Sequence, residues 1–301
     1  MRDLAAIGTA LAMAAVAALA GDFEDGSRFH EAGDYARAID SFRVAAAQGH
    51  APAQYNLGLM YRKGQGVAPD YMQAASWYEK AAAQGYGSAQ FDLGVMYAEG
   101  QGVAQDYKQA AFWFGKAAAQ GYASAQFNLG VMYTEGKGVA RDYGRAVSWY
   151  EKAIAQGYAS AQFNLGLMYY NGQGVAQDYE RARYWYEKAA EQGNAEAQFN
   201  LGVMYYRGQG VAQDYQQAVS WYEKASAQEN TLAQTSLGIM YYNGQGVAQD
   251  YVEAYKWLTL AAANGDEVAT INREIVERKM TPEQIGEARR RASAWIKAPR
   301  R

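Results

Sequence analysis

Apolar and polar positions recur along most of this chain with a fixed period of 36 residues, marked by Leu57-Gly58, Leu93-Gly94, Leu129-Gly130, Leu165-Gly166, Leu201-Gly202 and Leu237-Gly238. Each period holds two stretches with apolar residues three and four apart, as amphipathic helices turning about 100° per residue require. In the first stretch Ala53, Leu57, Met60 and Tyr61 share a face. In the second, Tyr71, Ala74, Tyr78 and Ala81 do, with Gln73, Ser76, Glu79 and Lys80 elsewhere. Gly58 falls where a side chain would hold the two helices apart, opposite the alanines of the second helix. Gly85, Gly121, Gly157 and Gly193 are placed to end second helices in the left-handed conformation. A self-similar period of this size predicts stacked supersecondary units rather than two globular domains.

The connection between the two helices repeats letter for letter in places. YYNGQGVAQDY stands at Tyr169–Tyr179 and again at Tyr241–Tyr251. Gly172 and Gly244 can stop a helix with positive φ, while Gly174 and Gly246 let the chain reverse. Val175 and Val247 are expected to tuck into the core, and Asp178 and Asp250 stand where helix N-caps stand. A GxG pair can cradle phosphate, but here no strand precedes it and no lysine or threonine opens the following helix. Six aspartates at equivalent positions, Asp70 through Asp250, read as caps. The stretch is a joint.

These residues resemble Sel1-like repeats, relatives of the tetratricopeptide repeat. The shared pattern, AxxxLGxMYxxGxGVxxDYxxAxxWYxKAAxQG, recurs six times between Ala53 and Gly265. The resemblance implies an all-α fold, a right-handed superhelical α-solenoid whose first helices line the concave side. It also implies an adaptor that assembles protein complexes, in bacteria often exported and tied to envelope signalling or secretion. The six repeats would occupy residues 51–265. Residues 21–50 keep FxxxGDYxxAIxxF without the GQGV insertion and resemble a plain tetratricopeptide unit, an N-terminal cap. Residues 266–301 would form C-terminal capping helices. Within them Thr281-Pro282-Glu283-Gln284 is a helix-start box, and the helix it opens should cover the last core face through Trp295.

Residues 1–20, MRDLAAIGTALAMAAVAALA, differ from the rest. Leu4–Ala20 carries no charge and ends in Ala18-Leu19-Ala20 before Gly21, a pattern that signal peptidase cuts. The expectation is a signal peptide cleaved after Ala20, a periplasmic or secreted protein, and no stable membrane span afterwards. The run is short and alanine-rich for a spanning helix, which needs about 20 strongly apolar residues. The chain has no cysteine, so neither disulfides nor cysteine-linked lipid can hold it. A formal charge of −3 over 301 residues gives no reason to propose nucleic acid. Arg273–Arg301 is locally basic, and Arg289-Arg290-Arg291 could face anionic lipid or an acidic partner; the solvated side of a capping helix accounts for it more simply.

Chemistry has little to work with. The two histidines, His30 and His50, lie in or beside the N-terminal cap, and no His/Cys/Glu cluster has metal-ligand spacing. No catalytic residue, cofactor or metal is expected. Glu79, Glu151, Glu187 and Glu223 recur beside lysines and read as a solvated convex face. Cysteine-rich members of the wider family are linked to β-lactam binding, but their repeats are tied by disulfides this chain cannot make. A cell-wall or β-lactam-binding protein with weak hydrolase activity, needing a carboxylate such as Glu135, is the alternative to a scaffold.

Binding to a protein or peptide partner is the better fit. Phe91, Phe127, Phe163 and Phe199 occupy the Tyr55 position, and Val95, Val131, Leu167 and Val203 the Leu59 position, as packing between neighbouring repeats requires. The two positions that end the first helix change instead: Arg62-Lys63, Ala98-Glu99, Thr134-Glu135, Tyr170-Asn171, Tyr206-Arg207 and Tyr242-Asn243. Tyr170, Tyr206 and Tyr242 suggest an aromatic ladder, with Glu99 and Glu135 making the middle of the groove acidic. Drift at an exposed helix end would produce the same variation. Asn128, Asn164 and Asn200 are candidate contacts to a peptide backbone, since a similar asparagine does this in tetratricopeptide grooves; a structural bond to the neighbouring helix would equally account for them.

Overall fold

The computed structural model describes residues 21–297 and is all-α, with no strand among the described residues. The expected leader, residues 1–20, lies outside them. The chain divides into two compact units, one ending at Gln156 and the other beginning at Gly157. The first holds α1 (residues 21–31), α2 (Tyr35–Ala47), α3 (Ala51–Lys63), α4 (Tyr71–Ala83), α5 (Gly87–Glu99), α6 (Tyr107–Ala119), α7 (Ala123–Glu135) and α8 (Tyr143–Ile154). The second holds α9 (Ala159–Asn171), α10 (Tyr179–Glu191), α11 (Ala195–Arg207), α12 (Tyr215–Ala227), α13 (Thr231–Asn243), α14 (Tyr251–Ala263), α15 (Glu267–Glu277) and α16 (Pro282–Lys297). Within each unit every helix of a repeat packs on its neighbours in the chain, so each unit is an α-solenoid of stacked hairpins.

Local chemistry sets the hairpins. Asp70, Asp106, Asp142, Asp178, Asp214 and Asp250 each cap a second helix, the carboxylate accepting backbone N–H bonds from its first turn. Gly172 and Gly244 end first helices in the left-handed conformation, at φ 68° and 69°. Gly246 has φ 73°, and a Cβ there would also strike the Tyr215 carbonyl. The second glycine of each joint therefore does more than reverse the chain. It lets the loop lie against the start of the preceding repeat's second helix. Val67, Val103, Val139 and Val247 pack onto the core clusters from these loops.

Ala53, Leu57 and Met60 of the first helix and Ala74, Tyr78 and Ala81 of the second are fully buried, as are their counterparts in later repeats. Two expectations need correction. Gly58 faces the ring of Tyr78 rather than alanine side chains: an added Cβ would lie 2.6 Å from that ring and 3.2 Å from the Ala74 carbonyl. The glycine makes room for an aromatic. Tyr71 is not part of the buried stripe but 45% exposed; its repeat has Arg62 where later repeats place a tyrosine against this ring, as Tyr170 lies against Tyr179.

Buried glutamines join the repeats in a way periodicity did not reveal. Gln90 Nε2 donates to the Ala82 carbonyl at 3.0 Å, and its Oε1 accepts from Gln120 Nε2 at 2.8 Å. Gln54 and Gln198 do the same, donating to Ala46 and Ala190 and accepting from Gln84 and Gln228. Each clasp ties the end of one second helix, the next first helix and the end of the second helix after it. At the C-terminal end the donor position holds Asn264, one methylene shorter, and Gln234 Oε1 is buried without a partner.

The C-terminal helices close the second unit. Thr281 Oγ1 accepts from the Gln284 backbone while Gln284 Oε1 accepts from the Thr281 backbone, a reciprocal start for α16. α16 packs on α14, with Trp295 edge-on to Trp257 at 4.8 Å. Its arginines bind the protein itself. Arg289 donates to the Tyr255 hydroxyl, Arg290 pairs with Glu287, and Arg291 bridges Glu253 and Glu287.

Candidate functional site

Between successive first helices a cleft opens above the buried aromatic of the intervening second helix. In the first unit α5 and α7 bound a cavity of about 190 Å³, floored by Phe114 and walled by Val95 and Val131. Glu99, Asn128 and Glu135 line it, so three of the sequence-predicted residues come together there. In the second unit α11 and α13 bound a cavity of about 260 Å³ over Tyr222, walled by Phe199, Val203 and Ile239. Tyr206 and Arg207 form part of its lining. A third cleft, about 180 Å³, lies between α1 and α3 and is lined by His30, Glu31, Asn56 and Lys63.

The polar groups of these clefts differ in how they are satisfied. Asn128 and Asn200 are half-buried, and among the described residues neither side-chain amide has a hydrogen-bond partner. Gln126 and Gln198, two residues earlier on the same helices, make two bonds each. At the same register in α5 stands Asp92, paired with Arg62 at 3.4 Å. Burial raises its carboxyl pKa, against the pull of Arg62 and the Tyr55 hydroxyl. Glu135, the carboxylate a hydrolase would use, is exposed and paired with Lys137 at 2.8 Å. Arg207 has no carboxylate partner among the described residues, so its charge stands alone beside an apolar cavity. Among the described residues no three His, Asp or Glu side chains converge as metal ligands.

The tyrosine ladder has structural duties. Tyr170, Tyr206 and Tyr242 are half-buried and lie against Tyr179, Tyr215 and Tyr251, with centroids 5.1, 5.2 and 5.7 Å apart. The two ends of each joint are thus stapled by aromatic rings, and Tyr170 also donates to Gln209 Oε1 at 2.7 Å. Tyr206 also lines the cavity between α11 and α13. Tyr242 packs against the C-terminal cluster containing Tyr255 and Leu258. Asn171 and Asn243 are exposed at their helix ends, Asn243 donating to Gln245 at 3.4 Å. Asn164 is half-buried at the Asn128 register. The repeat-packing reading of the Tyr55 and Leu59 positions holds in detail: Phe91 and Val95 pack on the cluster containing Leu129, and Phe199 and Val203 on that containing Leu237. What sequence reasoning missed were the cavity floors Phe114 and Tyr222 and the glutamine clasp. The glutamine recurring in every AQ segment and, up to Gln228, at the end of every second helix was the signal for the clasp.

Comparison with known proteins agrees with this architecture. The Sel1 repeat model matches residues 51–86, 87–122, 123–158, 159–194, 195–230 and 231–266. The crystal structure of a Sel1 repeat protein from Oxalobacter formigenes is 34% identical, covers 80% of this chain and 96% of its own, and superposes with a TM-score of 0.72. That of c5321, a protective antigen of uropathogenic Escherichia coli strains displaying an SLR fold, is 30% identical over 92% of this chain and 84% of its own, with a TM-score of 0.54. No curated protein sequence gave a significant match. With six consecutive matches and these structural relatives, the chain belongs to the Sel1 repeat family, whose members are generally protein–protein interaction scaffolds.

Proposed function

We propose that this protein is an exported scaffold that holds extended segments of partner proteins in the clefts between its first helices. The observation that carries the reading is the contrast in hydrogen bonding. The buried glutamines Gln126 and Gln198 on the same helices are bonded at both Nε2 and Oε1, whereas Asn128 and Asn200 present unpartnered, half-buried amides on the first-helix face, Asn128 within a cleft. An asparagine amide offers a donor and an acceptor together, the match for a peptide backbone. Partner side chains would enter the apolar cavities beside Phe114 and Tyr222. The uncharged run Leu4–Ala20 before Gly21 supports export to the cell envelope, and among the described residues no helix is long and apolar enough to cross a membrane.

The test is a titration against a partner identified from envelope extract. Asn128→Ala, Asn200→Ala and Tyr206→Ala should each weaken binding, while Gln217→Ala, exposed on a second helix, should not. Unchanged affinity in all three groove variants would retire the clefts as the binding site. Cell fractionation with N-terminal sequencing checks export. The expected mature terminus is Gly21, and a retained Met1 in the cytosolic fraction would refute it.

A further inference from the structure

Successive clefts differ in whether the chain itself answers the cation they hold. Between α3 and α5, Arg62 Nη1 donates to Asp92 Oδ1 at 3.4 Å, and both charges act on the buried Tyr78 hydroxyl. Between α5 and α7, Lys137 lines the cavity and pairs with Glu135 at 2.8 Å. Between α11 and α13, Arg207 lines the cavity of about 260 Å³ over Tyr222, and no carboxylate among the described residues pairs with it. At its register the adjacent first helices carry Asn171 and Asn243, so neither neighbouring repeat offers an anion at that level.

The difference arises on α13. Asn56, Asp92, Asn128, Asn164 and Asn200 share one register, and Ser236 ends the series. Asp92 is the member that reaches an arginine on the preceding first helix. Ser236 lines the α11–α13 cavity, but its Oγ donates back to the Leu232 carbonyl at 2.8 Å and carries no charge for Arg207. Hydration and the helix dipole both favour a cation at the end of a first helix. Those terms act equally on Arg62, one register earlier at the same helix end, and Arg62 is nevertheless met by a carboxylate.

Resting on the reading of the clefts as partner sites, we infer that the α11–α13 cleft takes an acidic segment: an aliphatic side chain followed two positions on by aspartate or glutamate. In an extended chain such side chains point the same way, about 7 Å apart. The aliphatic one enters between Val203 and Ile239, and the carboxylate meets Arg207 at the rim. Arg207 then does for the partner what Arg62 does for Asp92, through a charge-assisted guanidinium–carboxylate bond. The α5–α7 cleft disfavours the same segment, because Glu99 and Glu135 line it against Lys137. The two clefts therefore select different stretches of sequence.

Fluorescence anisotropy with labelled peptides, capped at both ends and built on leucine-serine-glutamate, tests this against matched peptides carrying glutamine or lysine in place of glutamate. The full chain should bind the glutamate peptide about five- to tenfold tighter than the glutamine one, between the effects of an exposed ion pair and a charge-assisted hydrogen bond. Arg207→Gln should remove that preference, and Arg207→Glu should transfer it to the lysine peptide. Ser236→Asp supplies the carboxylate from within the chain, as Asp92 does for Arg62, and should likewise abolish the preference for glutamate. Circular dichroism of each variant checks that the helices are intact. Equal binding of the glutamate and glutamine peptides, both weakened by Tyr206→Ala, would overturn the inference and leave the cleft standing as a binding site. A glutamine peptide with a free C-terminal carboxylate that binds as well as the capped glutamate peptide would overturn it too, since a chain end would then be the ligand. Absence of binding by every peptide also overturns it. The clefts themselves are judged separately by the partner titration above, none of whose variants alters Arg207.

Discussion

The glutamine clasp yields a sharp prediction because the chain contains both the intact device and one shortened copy. Gln84, Gln120, Gln192 and Gln228 sit just past a second helix and reach the Oε1 of the glutamine 30 residues earlier, at 2.7 to 2.9 Å. Asn264 caps α14 with φ −90° and ψ 11°, nearly the backbone of Gln192 at −89° and 9°. Only the side-chain length differs, and Gln234 Oε1 is left buried and unbonded. Asn264→Gln should close the sixth clasp. A net hydrogen bond contributes about 1 kcal/mol, and relief of an unsatisfied buried acceptor adds to it. The reverse change, Gln120→Asn, withdraws the donor from Gln90 Oε1 and from the Gly85 carbonyl, and should cost about 1–3 kcal/mol. Because repeat proteins open locally, the readout is amide hydrogen exchange beside urea unfolding. Asn264→Gln should slow exchange in α13 roughly fivefold, the equivalent of about 1 kcal/mol. If it has no effect there while Gln120→Asn is also neutral, the clasp is not a source of stability.

Three further outcomes follow from the same packing. Gly58→Ala, whose Cβ would press on the Tyr78 ring and approach the Ala74 carbonyl, should destabilise by about 1–3 kcal/mol in urea unfolding. Asp106→Ala removes the acceptor for the Lys108 and Gln109 backbone N–H groups and should cost about 1 kcal/mol, whereas Asp106→Asn should cost little. His50 caps α3 by accepting from Ala53 N through Nδ1 at 3.3 Å, and burial lowers its pKa below the ordinary value of 6.5. The unfolded chain therefore takes up this proton first, so the contribution of His50 is fully present above pH 6.5 and is lost as pH falls from there through the lowered folded value. His50→Asn, the residue found at the equivalent caps Asn194 and Asn230, should keep the cap and remove that part of the pH dependence of the melting temperature.

Much of this protein is local, and what is local can be read along the chain. Helix ends follow from Asp70 and its five counterparts, and turns follow from glycines such as Gly172 and Gly244, because caps and positive φ involve neighbours a few residues apart. The buried stripe of Leu57, Met60 and Tyr78 follows from spacing for the same reason. The joint of the hairpin, the stacking of repeats and the start of α16 at Thr281 belong to this class.

What joins distant residues needed three dimensions. The clasp unites groups 8 and 30 residues apart on three different elements, and no helical period links them. Tyr170, Tyr206 and Tyr242 look like display positions when written in a line; in space each ring lies against the tyrosine that opens the next helix, and Tyr206 also borders a cleft. Tyr71 carries the right spacing for burial yet is 45% exposed, since burial depends on which residue stands opposite, and Arg62 stands where Tyr170 covers Tyr179. The course of α16 was decided the same way. Its sequence announces a capping helix, but only the seating of Trp295 on Trp257 sends it to α14 and leaves Ile271 and Ile275 bare. Periodicity dictates which side of a helix is apolar; which neighbour covers that side is settled by shape and reach once the whole chain has been packed.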